Sequence, residues 1–516
     1  MNKLKSLNPI AKTALAAFIF FLIWQVLLIV RYRGMYSFDE MFHISSSDAY
    51  FHSISEYDRA PYLNWTVRFL ASVFGRHYYT YKLIPFVLSL ISIGSLLYLS
   101  SKLFQHTYNI ILFTLLCAGH QVLIFNHLYV RMYIWDESVI ALLAVIMYKL
   151  SQIGSIYKKI GLHILYLALS AFLYVMQTRE ETSLSVLYVG IGALCLNYLG
   201  RYLITWLKKK KLLIPCLCLL IPLIICTEYI LLLLRMQEIR PNTPPFFKSF
   251  SSIWLLLADH SPITTNIYSP VFVSYFICNN LLLLVGIIGY GYLLLKNKYE
   301  ENNMTGIYSL ALLPFIAYNM LYFDRFLFRT YAAFLPVLIF IVLLWMDSFQ
   351  DTRRYRCIAL AAVLITILFS QPGMKQNPFT DPIRDLVYFA KYPNLTWETV
   401  FNEYGALISQ AQQDIDEGRK CISIWRGTAQ QYAFELDGDY PISLTNDVNV
   451  PYGYTAEDVE QLLSYLSETE DSYVLLVGFH VNSFLDELVP GITDSLCETY
   501  PYKHYGDNDA YLFYIN

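Results

Sequence analysis

The chain has 516 residues, of which 56% are hydrophobic and 15% are charged, and its net charge is −3. A soluble protein of this length carries roughly a quarter charged residues, because a surface in water needs polar groups. The composition therefore excludes an ordinary soluble protein, and the weakly acidic balance argues against nucleic-acid binding.

Long apolar segments predict a polytopic α-helical membrane protein. A helix needs about 20 mostly apolar residues to cross a bilayer. We predict eleven such spans, at residues 11–30, 82–104, 107–126, 129–149, 160–178, 182–205, 212–234, 270–295, 304–321, 330–346 and 357–370.

Basic residues predict the orientation of these spans, because cytoplasmic loops carry an excess of lysine and arginine. With strict alternation, every dense basic cluster falls on the cytoplasmic side together with the N-terminus. The clusters are Lys3 to Lys12, 158–159, 208–211, 296–298 and 353–356. An odd number of spans then places residues 371–516 on the extracytoplasmic face of an inner or cell membrane.

The first outer loop, residues 31–81, contains many ionisable groups. Asp39 and Glu40 follow the first span closely, which suits a general base that takes a proton from an acceptor hydroxyl. A helix N-cap or a solvated pair explains the same residues. The segment Tyr62 to Phe74 has amphipathic helical spacing and aromatic residues, which predicts a helix lying in the membrane interface.

Three short outer turns carry further charges. Arg131 lies between two spans, where a phosphate is a natural partner because guanidinium binds its oxygens bidentately; snorkelling to the lipid headgroups is the alternative. Charged residues of the other two turns are Arg179, Glu180, Glu181, Asp324, Arg325 and Arg329. Polar residues that flank the Arg131 turn are His120, Asn126, His127, Asp136 and Glu137.

No cofactor is predicted with certainty. Scattered histidines and acids leave a divalent metal possible, but no HExxH or DxD spacing supports one, so we assign no metal ligands.

Residues 371–516 are polar and predict a small α/β accessory domain. An amphipathic helix pattern runs from Thr396 to Gly418. Strand candidates are 420–425, 473–479 and an edge strand at 510–515. Cys421 and Cys497 could form a disulfide on this side of the membrane.

The order of several motifs resembles the GT-C glycosyltransferases, in particular the protein O-mannosyltransferase and lipid A aminoarabinose transferase branch. That branch has an Asp-Glu pair after the first span, a proline followed by an amphipathic helix and a glycine, and an Arg-Leu-Pro-like motif opening the second span. Later come an Arg-Met-Tyr turn and an arginine-containing run that ends in proline. The corresponding residues are Asp39–Glu40, Pro61 to Gly75, Lys82 to Pro85, Arg131 to Tyr133, and Arg325 to Pro336.

The resemblance implies a GT-C-like helix bundle, residues 1–370, and a donor in which one sugar is linked to a polyprenyl phosphate. Asp39, with Glu40, is then the catalytic residue, and Lys82, Arg131, Arg325 and Arg329 bind the donor phosphate. We assign Tyr133, Arg179, Glu180 and His52 to substrate binding. The acceptor is a glycan, lipid or protein hydroxyl. The chain departs from the motif at Lys82, because lysine cannot bind a phosphate bidentately.

Three other functions are compatible with the sequence. The first is a polysaccharide polymerase or ligase that uses lipid-diphosphate glycans, the second is a non-enzymatic lipid or glycan transporter, and the third is a structural or sensory membrane protein. A transport path favours ionisable groups near the bilayer midplane, whereas here they collect at one leaflet.

Overall fold

The computed structural model describes most of the helical region and part of the C-terminal region. The described residues are 8–31, 61–75, 78–176, 180–209, 282–296, 304–321, 332–349, 351–369, 410, 413–414, 417–424, 460, 464, 467–468, 473–477, 489–505 and 510–515.

The described part of the chain is mainly α-helical. Its helices are α1 Pro9–Arg31, α2 Pro61–Phe74, α3 Tyr78–Leu103, α4 Thr107–Gly119, α5 Gln121–Leu128, α6 Met132–Gln152, α7 Ile156–Met176, α8 Glu180–Lys209, α9 Leu282–Leu295, α10 Met304–Leu321, α11 Leu335–Met346, α12 Arg353–Phe369 and α13 Ile492–Thr499. The predicted α-helical class is confirmed, and described helices fall within ten of the eleven proposed spans, although residues 270–281 of one of them lie outside the described residues. The remaining one, 212–234, lies outside the described residues.

The protein is an integral membrane protein. Within the described residues, Pro9–Val30 and Tyr79–Leu103 are each long and apolar enough to cross a bilayer, and the pair formed by α4 and α5 adds a third candidate if it counts as one broken span. Large apolar side chains on α1 are exposed, as lipid contact requires. The total of eleven spans and the orientation remain predictions.

The predicted span 107–126 is not one continuous helix. The chain breaks at His120, whose backbone is extended, and the two helical parts meet at an angle of 66°. Gly119 lies against α12, since a Cβ at this position would be 2.9 Å from Ile367 Cδ1. The prediction of one continuous helix over residues 107–126 is therefore wrong. Apolar composition alone does not reveal the break at His120.

The chain forms two compact units. The first comprises Met1–Val26, Pro85–Leu128 and Met132–Asp385, and the second comprises Leu27–Ile84, Tyr129–Arg131 and Leu386–Asn516. The predicted domain boundary at residue 370 stays a prediction.

The first unit is a bundle in which α8 packs on α10 and α7, and α9 packs on α11. The contact between α9 and α11 depends on glycine. A Cβ at Gly286 would lie 2.5 Å from Val342 Cγ2, and one at Gly289 would lie 2.3 Å from Trp345 Cε2. These distances are shorter than non-bonded carbon atoms allow, so the two backbones approach only because these positions lack side chains.

In the second unit, α2 confirms the predicted amphipathic helix. Its apolar exposed side chains include Trp65 and Phe69, whereas Val67 is buried. The helix ends at Gly75, which has a φ of 82° and whose amide donates to the carbonyl of Ala71. Glycine suits this position because it adopts the left-handed conformation without steric cost.

The described C-terminal part contains a four-stranded sheet in the order β1-β2-β4-β3. The strands are β1 Lys420–Ile424, β2 Tyr473–Val477, β3 Tyr502–Tyr505 and β4 Ala510–Ile515. β1 is parallel to β2, whereas β4 is antiparallel to both β2 and β3. Strands within the first two predicted ranges and at 510–515 are confirmed.

The prediction that 510–515 is an edge strand is wrong, because β3 pairs along its outer side. The segment Tyr502-Lys-His-Tyr505 has only four residues and its two polar residues are adjacent, so it lacks the alternation that indicates a strand. The described part of the predicted helix 396–418 has helical residues at 410 and 413–414, and Gly418 has a φ of 94°.

Cys497 is a free thiol, so it forms no disulfide with Cys421.

Candidate functional site

Three of the predicted site residues have described side chains, namely Lys82, Arg131 and Tyr133. Glu180 begins α8, but its side chain lies outside the description. The remaining predicted residues, Asp39, Glu40, His52, Arg179, Arg325 and Arg329, lie outside the described residues. Their assigned roles therefore remain predictions.

Lys82 is buried in the first half of α3, with a relative exposure of 1%. Its ammonium group lies 5.4 Å from the centre of the Tyr129 ring, a distance at which a cation is attracted to an aromatic face. Tyr129 begins the short turn that contains Arg131, and this turn belongs to the same compact unit as Lys82. The fold thus brings one predicted phosphate ligand to the turn that carries another.

The turn Tyr129–Arg131 connects α5 to α6. Tyr129 and Val130 are buried, whereas Arg131 is partly exposed. Tyr133 is also partly exposed and lies in the first turn of α6. Backbone amides at a helix start favour an anion, so the beginning of α6 adds positive potential beside Arg131.

A buried polar cluster lies on the two helices that this turn connects. Glu137 of α6 has a relative exposure of 1%. Its Oε1 accepts a hydrogen bond from Ser92 Oγ at 2.7 Å and lies 2.9 Å from His127 Nε2. Its Oε2 accepts a hydrogen bond from Asn126 Nδ2 at 2.6 Å. We call Glu137, Asn126, His127 and Ser92 the Glu137 cluster.

The Glu137 cluster extends to α1. Gln25 Nε2 lies 3.4 Å from His127 Nδ1, and the Phe21 ring meets the His127 ring edge to face, with 5.6 Å between the ring centres. When His127 carries its proton on Nε2, it donates to Glu137 and can accept from Gln25. A carboxylate removed from water is costly unless it is hydrogen-bonded, and here side chains from α3 and α5 supply the hydrogen bonds.

A second buried carboxylate lies at the other end of the α4–α5 pair. Asp347, just after α11, accepts hydrogen bonds from the backbone amides of Gln105 and His106 at 2.5 and 3.1 Å. It also accepts one from Asn109 Nδ2 at 2.7 Å, and His106 Nδ1 lies 3.1 Å away. Asp347 therefore holds the start of α4 to the end of α11; we call this the Asp347 cluster.

Sequence reasoning identified Asn126, His127 and Glu137 only as polar neighbours of the Arg131 turn, and it missed the Asp347 cluster. The sequence did contain a signal for the Glu137 cluster. Asn126 and His127 precede a short turn and Glu137 follows it, and all three are polar residues within apolar helices. Among the described residues, no group of three or more His, Cys, Asp or Glu side chains could hold a metal ion.

These features occur in a fold that is shared with a solved structure. The structure is similar to ArnT from Cupriavidus metallidurans in its apo state, with a TM-score of 0.51 and 11% identity over 96% of this chain and 97% of that one. It is also similar to the same protein bound to undecaprenyl phosphate, with a TM-score of 0.52 and 11% identity over 97% of this chain and 98% of that one.

At this level of identity the likeness defines the fold and not the chemistry. Comparison of the sequence with known protein families and with curated proteins finds no match.

Proposed function

We propose that this protein is a membrane glycosyltransferase of the GT-C type that uses a polyprenyl-phosphate-linked sugar. The observation that carries the proposal is the buried Lys82, held against Tyr129 of the turn that contains Arg131. The fold supports it, because a structure similar along nearly the whole chain binds undecaprenyl phosphate.

Burial of the Lys82 ammonium group carries an electrostatic cost. Removing a positive charge from water costs several kcal/mol unless nearby groups compensate it. The electron-rich face of Tyr129 supplies part of this compensation. A phosphate anion close to Lys82 and Arg131 is attracted by both positive charges, and a lipid-linked phosphate delivers its anion at the surface of the bilayer.

The proposed reaction is a single displacement with inversion at the anomeric carbon. The acceptor hydroxyl oxygen forms a bond to this carbon while the bond from the carbon to the donor phosphate oxygen breaks. Asp39, assisted by Glu40, takes the hydroxyl proton, and the polyprenyl phosphate leaves with the bonding electrons. Lys82 and Arg131 bind the negative charge that develops on it. Further proposed contacts to donor or acceptor come from Arg325, Arg329, Tyr133, Arg179, Glu180 and His52.

In this proposal the site lies on the extracytoplasmic face, the N-terminus lies in the cytoplasm, and the domain 371–516 lies outside. The acceptor is a glycan, lipid or protein that presents a hydroxyl there. The leaving group is already a phosphate, so no nucleotide is needed, and we assign no metal to the reaction.

Binding of three lipids by the purified protein in nanodiscs tests the donor class. Undecaprenyl phosphate, undecaprenyl diphosphate and undecaprenol share one chain and differ in the head group, and native mass spectrometry reports each affinity. We expect undecaprenyl phosphate to bind most tightly. Preference for the diphosphate would overturn the proposal in favour of a polymerase or ligase, and equal binding of all three would show that no phosphate site exists.

A further inference from the structure

The two helices that meet at the Arg131 turn are joined twice. The covalent connection is the turn Tyr129–Arg131. The second connection is the Glu137 cluster, in which Asn126 and His127 near the end of α5 contact Glu137 in the second turn of α6. We infer that Glu137 is a positioning residue for the donor phosphate, because it holds both ends of the turn that presents Arg131. This inference rests on the proposed function.

The geometry of the cluster makes this connection rigid. Both carboxylate oxygens of Glu137 are engaged, one by Asn126 at 2.6 Å and the other by His127 and Ser92. Ser92 belongs to α3, so a third helix restrains the carboxylate. All four side chains are buried, and a buried hydrogen bond is seldom exchanged for one to water. The turn therefore has little freedom to change the spacing of its two ends.

Positioning of this kind matters for phosphate binding. Guanidinium and phosphate form two parallel hydrogen bonds only in a narrow range of geometries, and small displacements of a binding group have large effects on the interaction. A cluster that restrains residues 126–127 and 137 limits how far Arg131 can move. The position of Glu137 then affects the preference for a phosphate head group and not general binding of the lipid chain.

The Asp347 cluster provides a matched control within the same protein. It is also a buried carboxylate that binds an asparagine and a histidine. It restrains the start of α4, whereas the Glu137 cluster restrains the end of α5. The helix α4 between them is about 20 Å long at 1.5 Å per residue. No predicted site residue belongs to the Asp347 cluster.

The experiment compares Glu137→Gln with Asp347→Asn in nanodiscs. Each substitution replaces one carboxylate oxygen, which accepts a hydrogen bond, with an amide NH2 group, which cannot accept one. Both variants therefore lose stability. The readout is the ratio of the undecaprenol and undecaprenyl phosphate dissociation constants, measured on the folded fraction. We expect this phosphate preference to fall about 10-fold in Glu137→Gln and to change less than about twofold in Asp347→Asn.

A milder pair covers the case in which Glu137→Gln does not fold. Asn126→Ala removes one bond to Glu137, and Asn109→Ala removes one bond to Asp347. The phosphate preference should fall in the first variant and persist in the second. An unchanged preference in the Glu137 and Asn126 variants would overturn the inference while leaving the proposed function intact. A wild-type protein without phosphate preference would instead overturn the proposed function.

Discussion

The ammonium group of Lys82 lies 5.4 Å from the centre of the Tyr129 ring, and both side chains are buried. A second lysine on the same helix, Lys102, lies 5.9 Å from the centre of the Tyr98 ring but is exposed. The two lysines therefore share a helix and a type of neighbour, but only Lys82 is buried and only its aromatic neighbour belongs to the Arg131 turn.

This pair gives a direct test of the phosphate site. Lys82→Met should weaken binding of undecaprenyl phosphate about 10- to 100-fold, because a hydrogen bond to a charged group contributes about 1.5–3 kcal/mol. Lys102→Met should leave binding within about twofold, since an exposed charge contributes little. Native mass spectrometry in nanodiscs measures both. Equal effects of the two substitutions would contradict the assignment of Lys82.

The glycines of α9 allow a prediction about stability. Gly289→Ala introduces a Cβ that would lie 2.3 Å from Trp345 Cε2, so the Trp345 side chain or the backbone of α9 or α11 must shift. Overpacking of this kind costs about 1–3 kcal/mol. Gly161 of α7 has no atom within 4 Å of a built Cβ, and Gly161→Ala should therefore leave the stability unchanged or raise it slightly. Thermal unfolding of both variants in detergent checks the expectation; equal midpoints would show that the α9–α11 contact is looser than described.

The predicted orientation is tested by two native cysteines. Cys357 is exposed near the start of α12, and Cys497 is partly exposed in α13. The positive-inside rule places the first toward the cytoplasm and the second outside. In right-side-out vesicles that contain single-cysteine variants, a membrane-impermeant maleimide should label Cys497 and spare Cys357. The reverse result would show that the C-terminal domain faces the cytoplasm.

The reactivity of Cys497 should depend on Asp494. Burial raises the pKa of the Cys497 thiol, and the carboxylate of Asp494 raises it further, while a hydrogen bond with Tyr502 acts in the opposite direction. Only the thiolate reacts with maleimide. Asp494→Asn removes a negative charge, so the pKa should fall and labelling at pH 8 should become faster. Glu498→Gln, at the neighbouring exposed carboxylate, should leave the rate unchanged, and a similar increase in both variants would contradict the specific role of Asp494.

Much of the fold follows from hydrophobic segments and turn residues. Apolar runs of sufficient length predicted the described helices of the first unit, and the amphipathic segment ending at Gly75 predicted α2. The break at His120 could not be predicted, because the segment is apolar on both sides of it and contains no proline. β3 was missed because its four residues do not alternate in polarity and are too short to indicate a strand without the pairing that β4 provides.

The candidate site was predictable to a smaller extent. Charges at one predicted leaflet identified the Arg131 turn, since ionisable groups at membrane depth are costly and often functional, whereas Lys82 was identified only through the resemblance to the GT-C glycosyltransferases. The contact of Lys82 with Tyr129 joins residues far apart in sequence, and no local pattern reveals it. Glu137 was recognised only as a polar neighbour, because its contacts with Asn126 and His127 depend on how α5 and α6 pack after the turn, and Ser92 lies 45 residues away along the chain.

Sugar transfer by the protein and its Asp39→Asn variant is the most direct test of the central claim. The purified proteins in nanodiscs are incubated with polyprenyl-phosphate-linked sugars and an extract of envelope acceptors, and mass spectrometry measures the polyprenyl phosphate released. We predict that the wild-type protein releases it from one donor and that Asp39→Asn, folded and still binding the donor, reduces release at least about 100-fold. Equal release by both proteins, or no release from any donor together with transport of the lipid across the bilayer, would contradict the account.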